Sequence, residues 1–302
     1  MEMSYITYES VNDCIKKLFG NSVYIEKESR VHGGDINDAF RLTLSNGESA
    51  FLKQNSKENY SFFISEYEGL KALCSTEKIN CPEVYGIGAD DRTGTSFLVM
   101  EYIEPARMSI SSQTDLGYQL ARLHMSDASA FTEGGMPFGF FRNNYIGASV
   151  QINTLKKSWI DFFRDCRLEP QIKMAEAFLD SEQLKKCGVL LGHLDKYLEE
   201  PAKASLLHGD LWGGNVMSDT EKRGWFIDPA VYAGHHEADL AMTQLFGGFT
   251  PAFYSAYNEI IPVDPGYKDR RDLYNLYHLL NHLNLFGRGY LGKVLSVINH
   301  YV

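Results

Sequence analysis

The chain has 302 residues, of which 44% are hydrophobic and 23% are charged, which is enough for one large domain or for two lobes with a substantial core. Its net charge is −10 and it contains no basic run, which argues against a nucleic-acid-binding protein. An anionic ligand must therefore be met by individual lysines, backbone amides or a metal ion.

Two further features bear on the compartment. The five cysteines are scattered without a C-x-x-C or zinc spacing, and the sequence MEMSYITYES has no apolar signal core, so we expect a reducing cytoplasm. The longest uncharged run, residues 240–258, contains Gly247, Gly248 and Pro251, which is typical of a buried segment and not of a membrane span.

The first hundred residues predict a small sheet around one main helix. Four segments alternate or run apolar between turn residues, as strands do: residues 23–28, 39–44, 49–54 and 96–102. A helix is predicted for residues 61–74 because four side chains recur there on one stripe: Phe63, Glu66, Leu70 and Leu73.

From residue 115 onward the pattern is mostly helical, and the last strong helix, residues 273–286, is apolar on most sides and predicts a core element. A boundary near residues 101–105 divides the chain into two lobes, 1–103 and 104–302. The predicted fold class is therefore α+β, with a small N-terminal antiparallel-sheet lobe and a larger, mostly helical C-terminal lobe. A nucleotide in the cleft between them is the natural expectation.

The stretch of residues 206–230 carries the strongest chemical signal. Phosphoryl transfer needs one carboxylate to orient and deprotonate a hydroxyl, and oxygen ligands to hold Mg²⁺ on the nucleotide. The His-x-Asp-x-x-x-x-Asn spacing matches the kinase catalytic loop, with Gly209 where protein kinases usually carry Arg. Asp210 is thus the predicted general base, and Asn215 and Asp228 are the predicted Mg²⁺ ligands.

Several polar residues around this stretch are predicted to support it. We expect the ring of His208 to hold the loop backbone. Asp239 opens a helix, where capping is the simple role and a hydrogen bond to the catalytic loop is the alternative. Two histidine clusters, residues 235–236 and His278 with His282, lack the H-E-x-x-H pattern and an evident third ligand, so packed or hydrogen-bonded histidines are favoured over zinc.

Lys53 lies on a predicted strand, where a lysine is usually a solvated edge residue. Glu66 changes this interpretation because it falls on the apolar stripe of the following helix, and a buried carboxylate needs a partner. Glu68 falls on the more polar stripe, with Lys71. The sequence therefore predicts the strand-lysine and helix-glutamate pair that positions phosphates in kinases.

Gly33 and Gly34 join two predicted strands upstream of Lys53. Glycines let backbone amides approach phosphate oxygens closely, although a Gly-Gly turn is also a common hairpin. Neither G-x-G-x-x-G nor G-x-x-x-x-G-K-[ST] occurs in the sequence. We count both glycines as candidate nucleotide-binding residues because of their place before the lysine strand.

Together these motifs resemble the fructosamine-3-kinase family, also called ketosamine kinases, within the aminoglycoside-phosphotransferase-like group of protein-kinase-like folds. The resemblance extends over essentially the whole chain and includes GGDINDAF, FLK, LVMEYIE and LGYQLARLH. Its most specific motifs are HGDLWGGN, IDPAVYAGHHEADLAMTQLFGGF and LYHLLNHLNLFGRGY.

The resemblance implies ATP-dependent phosphorylation of the sugar 3-hydroxyl in ketoamines, the small-molecule or protein-bound adducts that form when sugars glycate amines. The 3-phosphates fall apart and free the amine, so the implied role is deglycation. By position, Lys53 would hold the α- and β-phosphates and Glu66 would pair with it. Trp212 would wall the sugar site, since an indole offers an apolar face and one N–H donor. The hinge would offer backbone hydrogen bonds to adenine through Met100, Glu101, Tyr102 and Ile103.

Two alternatives remain open. Another small-molecule kinase of this fold, acting on an aminoglycoside, choline or a sugar, would share every catalytic residue, and only Trp212 and the C-terminal motif argue against it. A pseudokinase usually lacks the base, a metal ligand or the strand lysine, and this chain has all three. Some family members carry a cysteine in the glycine-rich loop that links two chains, but residues 33–37 contain none, so we expect a monomer.

Overall fold

The computed structural model describes residues 5–31 and 37–302, and its N-terminal lobe is built on a six-stranded sheet. The strands lie in the order β1-β5-β6-β4-β3-β2, and neighbouring pairs are antiparallel except β1 and β5, which are parallel. Four of them, β2, β3, β4 and β6, confirm the predicted segments. The bounds are β1 Thr7–Tyr8, β2 Ile25–Arg30, β3 Asp38–Leu44, β4 Ser49–Ser56, β5 Val84–Asp90 and β6 Thr95–Glu101.

Strand β5 is missing from the sequence prediction because two glycines interrupt its apolar pattern. Both glycines lie where β1 passes closely. A Cβ at Gly86 would overlap the ring of Tyr8, and a Cβ at Gly88 would overlap the carbonyl oxygen of Tyr8 and the ring of Phe97. Strand β1 can approach β5 this closely only because both positions are glycine. The same glycines break the apolar pattern from which β5 would have been predicted.

Two helices cover the two faces of this sheet. Helix α1, Val11–Phe19, packs on the face that carries Leu42 and Leu52, and helix α2, Tyr60–Ser75, packs on the face that carries Leu98. Since side chains alternate along a strand, Lys53 points to the α2 face. The core under α2 is continuous with the core of the C-terminal lobe.

The C-terminal lobe is mostly helical, as predicted. Its last core helix begins at Tyr267, earlier than the predicted start at residue 273. The sequence prediction missed the first turn because the charged residues KDRRD break the apolar pattern there. Arg270 in that turn is nevertheless buried, with Nη2 2.7 Å from Glu237 and 2.7 Å from Asp264. The helices are α3 Ile110–Met125, α4 Trp159–Phe163, α5 Glu169–Met174, α6 Ser181–Leu191, α7 Glu237–Leu245, α8 Pro251–Ile260, α9 Tyr267–Phe286 and α10 Leu291–His300.

Short strands frame the catalytic stretch of the C-terminal lobe. Strand β10 pairs with β13, β11 lies between β12 and β7, and β8 and β9 form a hairpin. All these pairs are antiparallel. The bounds are β7 Pro105–Ala106, β8 Asn144–Ile146, β9 Ser149–Gln151, β10 Ser205–Leu207, β11 Val216–Asp219, β12 Gly224–Phe226 and β13 Tyr232–Gly234.

The connection between the lobes is short. Strand β6 ends at Glu101, and β7 already pairs with β11, where Ala106 lies opposite Ser218. Residues 102–104 therefore link the N-terminal sheet to the C-terminal one. This supports the division of the chain at residues 103 and 104, which stays a proposal.

Two further observations concern the cysteines and the apolar character of the helices. Cys74 at the end of α2 and Cys81 before β5 form a disulfide, with Cα atoms 6.1 Å apart. Cys14, Cys166 and Cys187 are free and buried. Over the described ranges we find no helix with the length and apolar character needed to cross a bilayer.

Candidate active site

Lys53 contacts two carboxylates in the cleft between the lobes. Its Nζ is 2.6 Å from Oε1 of Glu66 on α2, and it also pairs with Oδ1 of Asp228 from the C-terminal lobe. The side chains of Lys53 and Glu66 are 11% and 13% exposed. A buried ammonium is stabilised only by such partners, because it has lost its hydration. The structure thus brings together the predicted lysine and glutamate and adds Asp228 as a second partner.

The pKa values follow from this arrangement. Burial acts to lower the pKa of Lys53, but Asp228 and Glu66 outweigh burial and raise it. Burial raises the pKa of Glu66 to about 7, against the opposing effect of Lys53. For Asp228, burial also acts to raise the pKa, yet Lys53 holds it below its usual range. The charge on Lys53 is therefore compensated by two carboxylates, one from each lobe.

The catalytic loop begins where β10 ends, and its first residues are fixed by the segment between β12 and β13. Gly209 has a φ of 82°, and a Cβ there would overlap the carbonyl oxygen of Ala230. The N–H of Ala230 donates to the carbonyl oxygen of His208 (2.8 Å). The His208 ring, whose pKa burial lowers, is 3.0 Å from the carbonyl oxygen of Ile227 through Nε2. A neutral His208 that donates here fits its predicted structural role.

Asp239, in the first turn of α7, holds the same loop from the protein interior. Its Oδ2 accepts a hydrogen bond from the N–H of His208 (2.7 Å), and its Oδ1 accepts one from the N–H of Gly209 (2.8 Å). His124 on α3 places Nε2 3.2 Å from Oδ2 of Asp239 and Nδ1 2.9 Å from the hydroxyl of Tyr257. Of the two roles considered for Asp239, the structure therefore has the hydrogen bond to the catalytic loop.

The catalytic loop brings the predicted base close to the two predicted metal ligands: Asp210, Asn215 and Asp228. The Asn215 amide donates to Oδ2 of Asp210 (3.1 Å), to the Asp210 carbonyl oxygen (2.8 Å) and to the Asp228 carbonyl oxygen (3.5 Å). Burial raises the pKa of Asp210 to about 7, against the effect of the Asn215 hydrogen bond. Asp228 has a φ of 53°, in the left-handed region, and its side chain is 40% exposed.

This donor set fits a hard divalent cation. The bonds of Asn215 use its amide nitrogen, which leaves its carbonyl oxygen as a ligand, and Asp228 adds a carboxylate that is partly exposed. Mg²⁺ prefers one or two such oxygens together with phosphate oxygens and water.

The predicted hinge lies between β6 and β7. Met100 is buried and pairs in the sheet with Phe51 and Val84. The N–H of Glu101 donates to the carbonyl oxygen of Glu83 (2.8 Å). Within residues 5–31 and 37–302, the backbone N–H of Ile103 has no hydrogen-bond partner, so it is free to donate to a ligand.

Trp212 follows the predicted base by two residues and is 40% exposed, so it is not a core residue. Its ring lies over Gly214, where a Cβ would overlap it. The neighbouring Gly213 packs so closely on Gly248 that neither position has room for a side chain, and its N–H donates to the carbonyl oxygen of Gly247 (3.2 Å). The glycines thus hold the indole at the surface, beside the catalytic loop.

The sequence model of the fructosamine kinase family matches residues 7–302. The chain belongs to this family. It is 40% identical to the chloroplastic protein-ribulosamine 3-kinase of Oryza sativa over 285 residues, 94% of this chain and 81% of that protein. It is 38% identical to a provisionally named ketoamine kinase of Enterococcus faecium, over 90% of this chain and 94% of that one.

Solved structures agree with this membership. A provisionally named fructosamine-3-kinase from Haemophilus somnus superposes with a TM-score of 0.83 at 28% identity, covering 97% of both chains. An amicoumacin kinase superposes with a TM-score of 0.60 at 14% identity, over 91% of this chain and 88% of that one, which shows the shared fold. As a fructosamine kinase family member with this fold, the protein is an ATP-using phosphotransferase, and the predicted α+β, two-lobed kinase-like fold is confirmed.

Gly33 and Gly34 lie outside the described residues. Glu68 was placed on the polar stripe of α2, and this was wrong: it is 1% exposed, with Oε1 3.2 Å from Nη1 of Arg142 in the C-terminal lobe. His124 was missed, and no local signal could have found it, because it lies in a helix whose pattern already explains it as core.

Proposed function

We propose that this protein transfers the γ-phosphoryl group of ATP to a sugar hydroxyl of ketosamines, the 3-hydroxyl of fructosamine or ribulosamine adducts of amines. The observation that carries the proposal is the site itself: Asp210, Asn215, Asp228, Lys53 and Glu66 meet in one cleft of a fructosamine kinase family member. The ribulosamine and ketoamine kinases among its relatives support this acceptor class. Loss of the 3-phosphate from the product would make the biological role deglycation.

Asp210 acts as the general base in this proposal. The Asn215 amide holds one of its carboxylate oxygens, which leaves the other free to accept the proton of the attacking hydroxyl. Asp239 fixes the backbone on which the base is carried, through the N–H groups of His208 and Gly209. Positioning is the main requirement, because the enzyme contributes little covalent chemistry to phosphoryl transfer.

ATP binds between the lobes. Lys53 holds the α- and β-phosphates while Glu66 keeps its ammonium in place, and the hinge residues Met100 to Ile103 bind adenine through backbone groups such as the N–H of Ile103. Asn215 and Asp228 would hold Mg²⁺, which would supply positive charge to neutralise the phosphates.

The acceptor lies against Trp212. The half-exposed indole offers an apolar face to the sugar ring and one N–H donor to its hydroxyls. Phe246 and His282 form a second aromatic surface, with ring centroids 4.6 Å apart. Phe246 precedes Gly247, whose carbonyl oxygen accepts a hydrogen bond from Gly213 of the catalytic loop. Aminoglycosides, choline and free sugars are the competing acceptors.

The test is ATP consumption by the purified protein with Mg²⁺ and an acceptor panel of ribulose-lysine, fructose-lysine, an aminoglycoside, choline and hexoses. We expect turnover on a ketoamine, followed by loss of the adduct, which mass spectrometry of the amine product detects. Turnover on another acceptor alone would overturn the ketoamine assignment and leave the catalytic residues standing. No turnover on any acceptor while ATP still binds would favour a nucleotide-binding pseudokinase.

Replacing Trp212 tests the acceptor wall. We expect Trp212→Ala to raise the KM for the ketoamine about fivefold, because stacking of this size is worth about 1 kcal/mol, with the KM for ATP unchanged. Trp212→Phe is the matched control, since it keeps a smaller aromatic face and removes the N–H donor. An unchanged ketoamine KM in Trp212→Ala would place the sugar elsewhere.

A cytoplasmic location and a monomeric state belong to the same proposal, and so does the absence of nucleic-acid and membrane partners. The net charge of −10 supports the absence of a nucleic-acid partner. Sedimentation analysis of the purified protein measures the oligomeric state directly.

A further inference from the structure

We propose that Arg142, a residue outside the cleft, is a positioning residue for ATP. It acts through Glu68 to fix the rotation of α2, and so the contact of Glu66 with Lys53. The inference rests on the ATP-dependent reaction proposed above, but it does not depend on which acceptor is used.

Helix α2 presents its two glutamates to opposite sides. Residues two positions apart are separated by about 200° around an α-helix, so Glu66 faces Lys53 when Glu68 faces away from it. The structure has this arrangement: Glu66 is 2.6 Å from Nζ of Lys53, and Glu68 contacts Arg142. Any rotation of α2 about its axis must therefore change both contacts together.

The contacts of Glu68 oppose a rotation of α2, because such a rotation would break them. Glu68 is 1% exposed, and its Oε1 is 3.2 Å from Nη1 of Arg142 and accepts a hydrogen bond from the hydroxyl of Tyr5. The same Nη1 lies 3.0 Å from the Tyr5 hydroxyl, which closes a three-membered network. A buried carboxylate is costly without its partners, so these contacts hold Glu68 in place.

A second contact lies on the same stripe of α2. The hydroxyl of Ser61 is 2.9 Å from that of Tyr145 on β8, and the rings of Phe62 and Tyr145 meet edge to face with centroids 4.3 Å apart. Ser61 and Glu68 are seven residues apart, which places them on one face and about 10 Å apart along the axis. Two fixed points on one face determine which way the opposite face points.

The hairpin that carries this contact also holds the other partner of Lys53. Gln151 donates to the carbonyl oxygen of Ala230 (2.9 Å) and Asn144 donates to that of Val231 (2.8 Å), two and three residues after Asp228. Residues 142–151 of the C-terminal lobe therefore position Glu66 and Asp228 alike. Arg142 is the one charged link from this segment to α2.

The direct test is ATP binding by Arg142→Ala, measured by calorimetry without acceptor, so that a wrong acceptor assignment cannot affect it. We expect the Kd for ATP to rise about tenfold and the ketoamine KM to change by less than about twofold. Arg142→Lys keeps the charge and should restore most of the affinity. The matched control is Arg92→Ala, which removes a 76%-exposed arginine that pairs with Asp90 in the same lobe and should leave ATP binding unchanged.

A double-mutant cycle separates positioning from general destabilisation. If Arg142 acts through Glu66, then adding Arg142→Ala to Glu66→Gln should raise the Kd little beyond the value of Glu66→Gln alone. Additive effects in the cycle would overturn the proposal. An unchanged Kd in Arg142→Ala, with or without a lower melting temperature, would overturn it as well.

Discussion

Asp210→Asn is expected to lower kcat by about 10²–10⁴-fold while the affinity for ATP stays close to that of the wild type. In the wild type, the Asn215 amide donates to Oδ2 of Asp210 over 3.1 Å. The asparagine of the variant keeps a carbonyl oxygen that can accept this hydrogen bond, so the loop geometry should be preserved. What it lacks is a site for the proton of the attacking hydroxyl.

Single-turnover kinetics and ATP calorimetry on the same sample measure the two quantities. Glu221→Gln is the matched control, because that carboxylate lies in the same region of the chain, is 71% exposed and faces solvent. It should leave kcat unchanged. Retained turnover in Asp210→Asn would mean that the base has been misassigned.

Asp239→Ala is expected to lower the free energy of unfolding by roughly 3–5 kcal/mol, because it leaves buried donors without acceptors. The donors are the N–H groups of His208 and Gly209 and the ring of His124. Asp239 is 2% exposed, so water cannot replace it without rearrangement. Since the two N–H groups belong to the catalytic loop, kcat should fall as well.

Thermal unfolding with and without ATP measures this effect. The control is Asp127→Ala, which removes a surface carboxylate that also accepts two hydrogen bonds, from the N–H (2.9 Å) and the hydroxyl (2.8 Å) of Ser129. It should unfold near the wild-type temperature. A melting temperature for Asp239→Ala equal to that of Asp127→Ala would show that the catalytic loop does not need this support.

The sequence predicts those parts of the site that are set by local spacing. Asp210 and Asn215 lie five residues apart on one loop, and Asp228 returns beside them after a short hairpin, so their proximity follows from the chain itself. The pairing of Lys53 with Glu66 also follows, because one helical stripe and one strand face determine it.

The parts that the sequence did not predict depend on contacts between distant elements. Glu68 was wrongly assigned to the polar face of α2. A helical pattern shows which face is apolar, but it cannot show that Arg142 of the other lobe pairs with Glu68. Strand β5 was missed because its glycines, which make room for β1, interrupt the apolar pattern of β5. The pairing of Lys53 with Asp228 was likewise hidden, since it requires the relative placement of the two lobes.

The ion pair between Lys53 and Asp228 has a consequence for ligand selectivity. The Lys53 ammonium has a carboxylate partner from the opposite lobe, so a phosphate that binds to Lys53 must compete with an internal anion. A polyphosphate with several charges can displace it, whereas a monophosphate gains little from the exchange. We therefore expect ATP and ADP to compete with Asp228 for Lys53 more effectively than AMP does, although the proposed hinge contacts to the adenine base would be the same for all three.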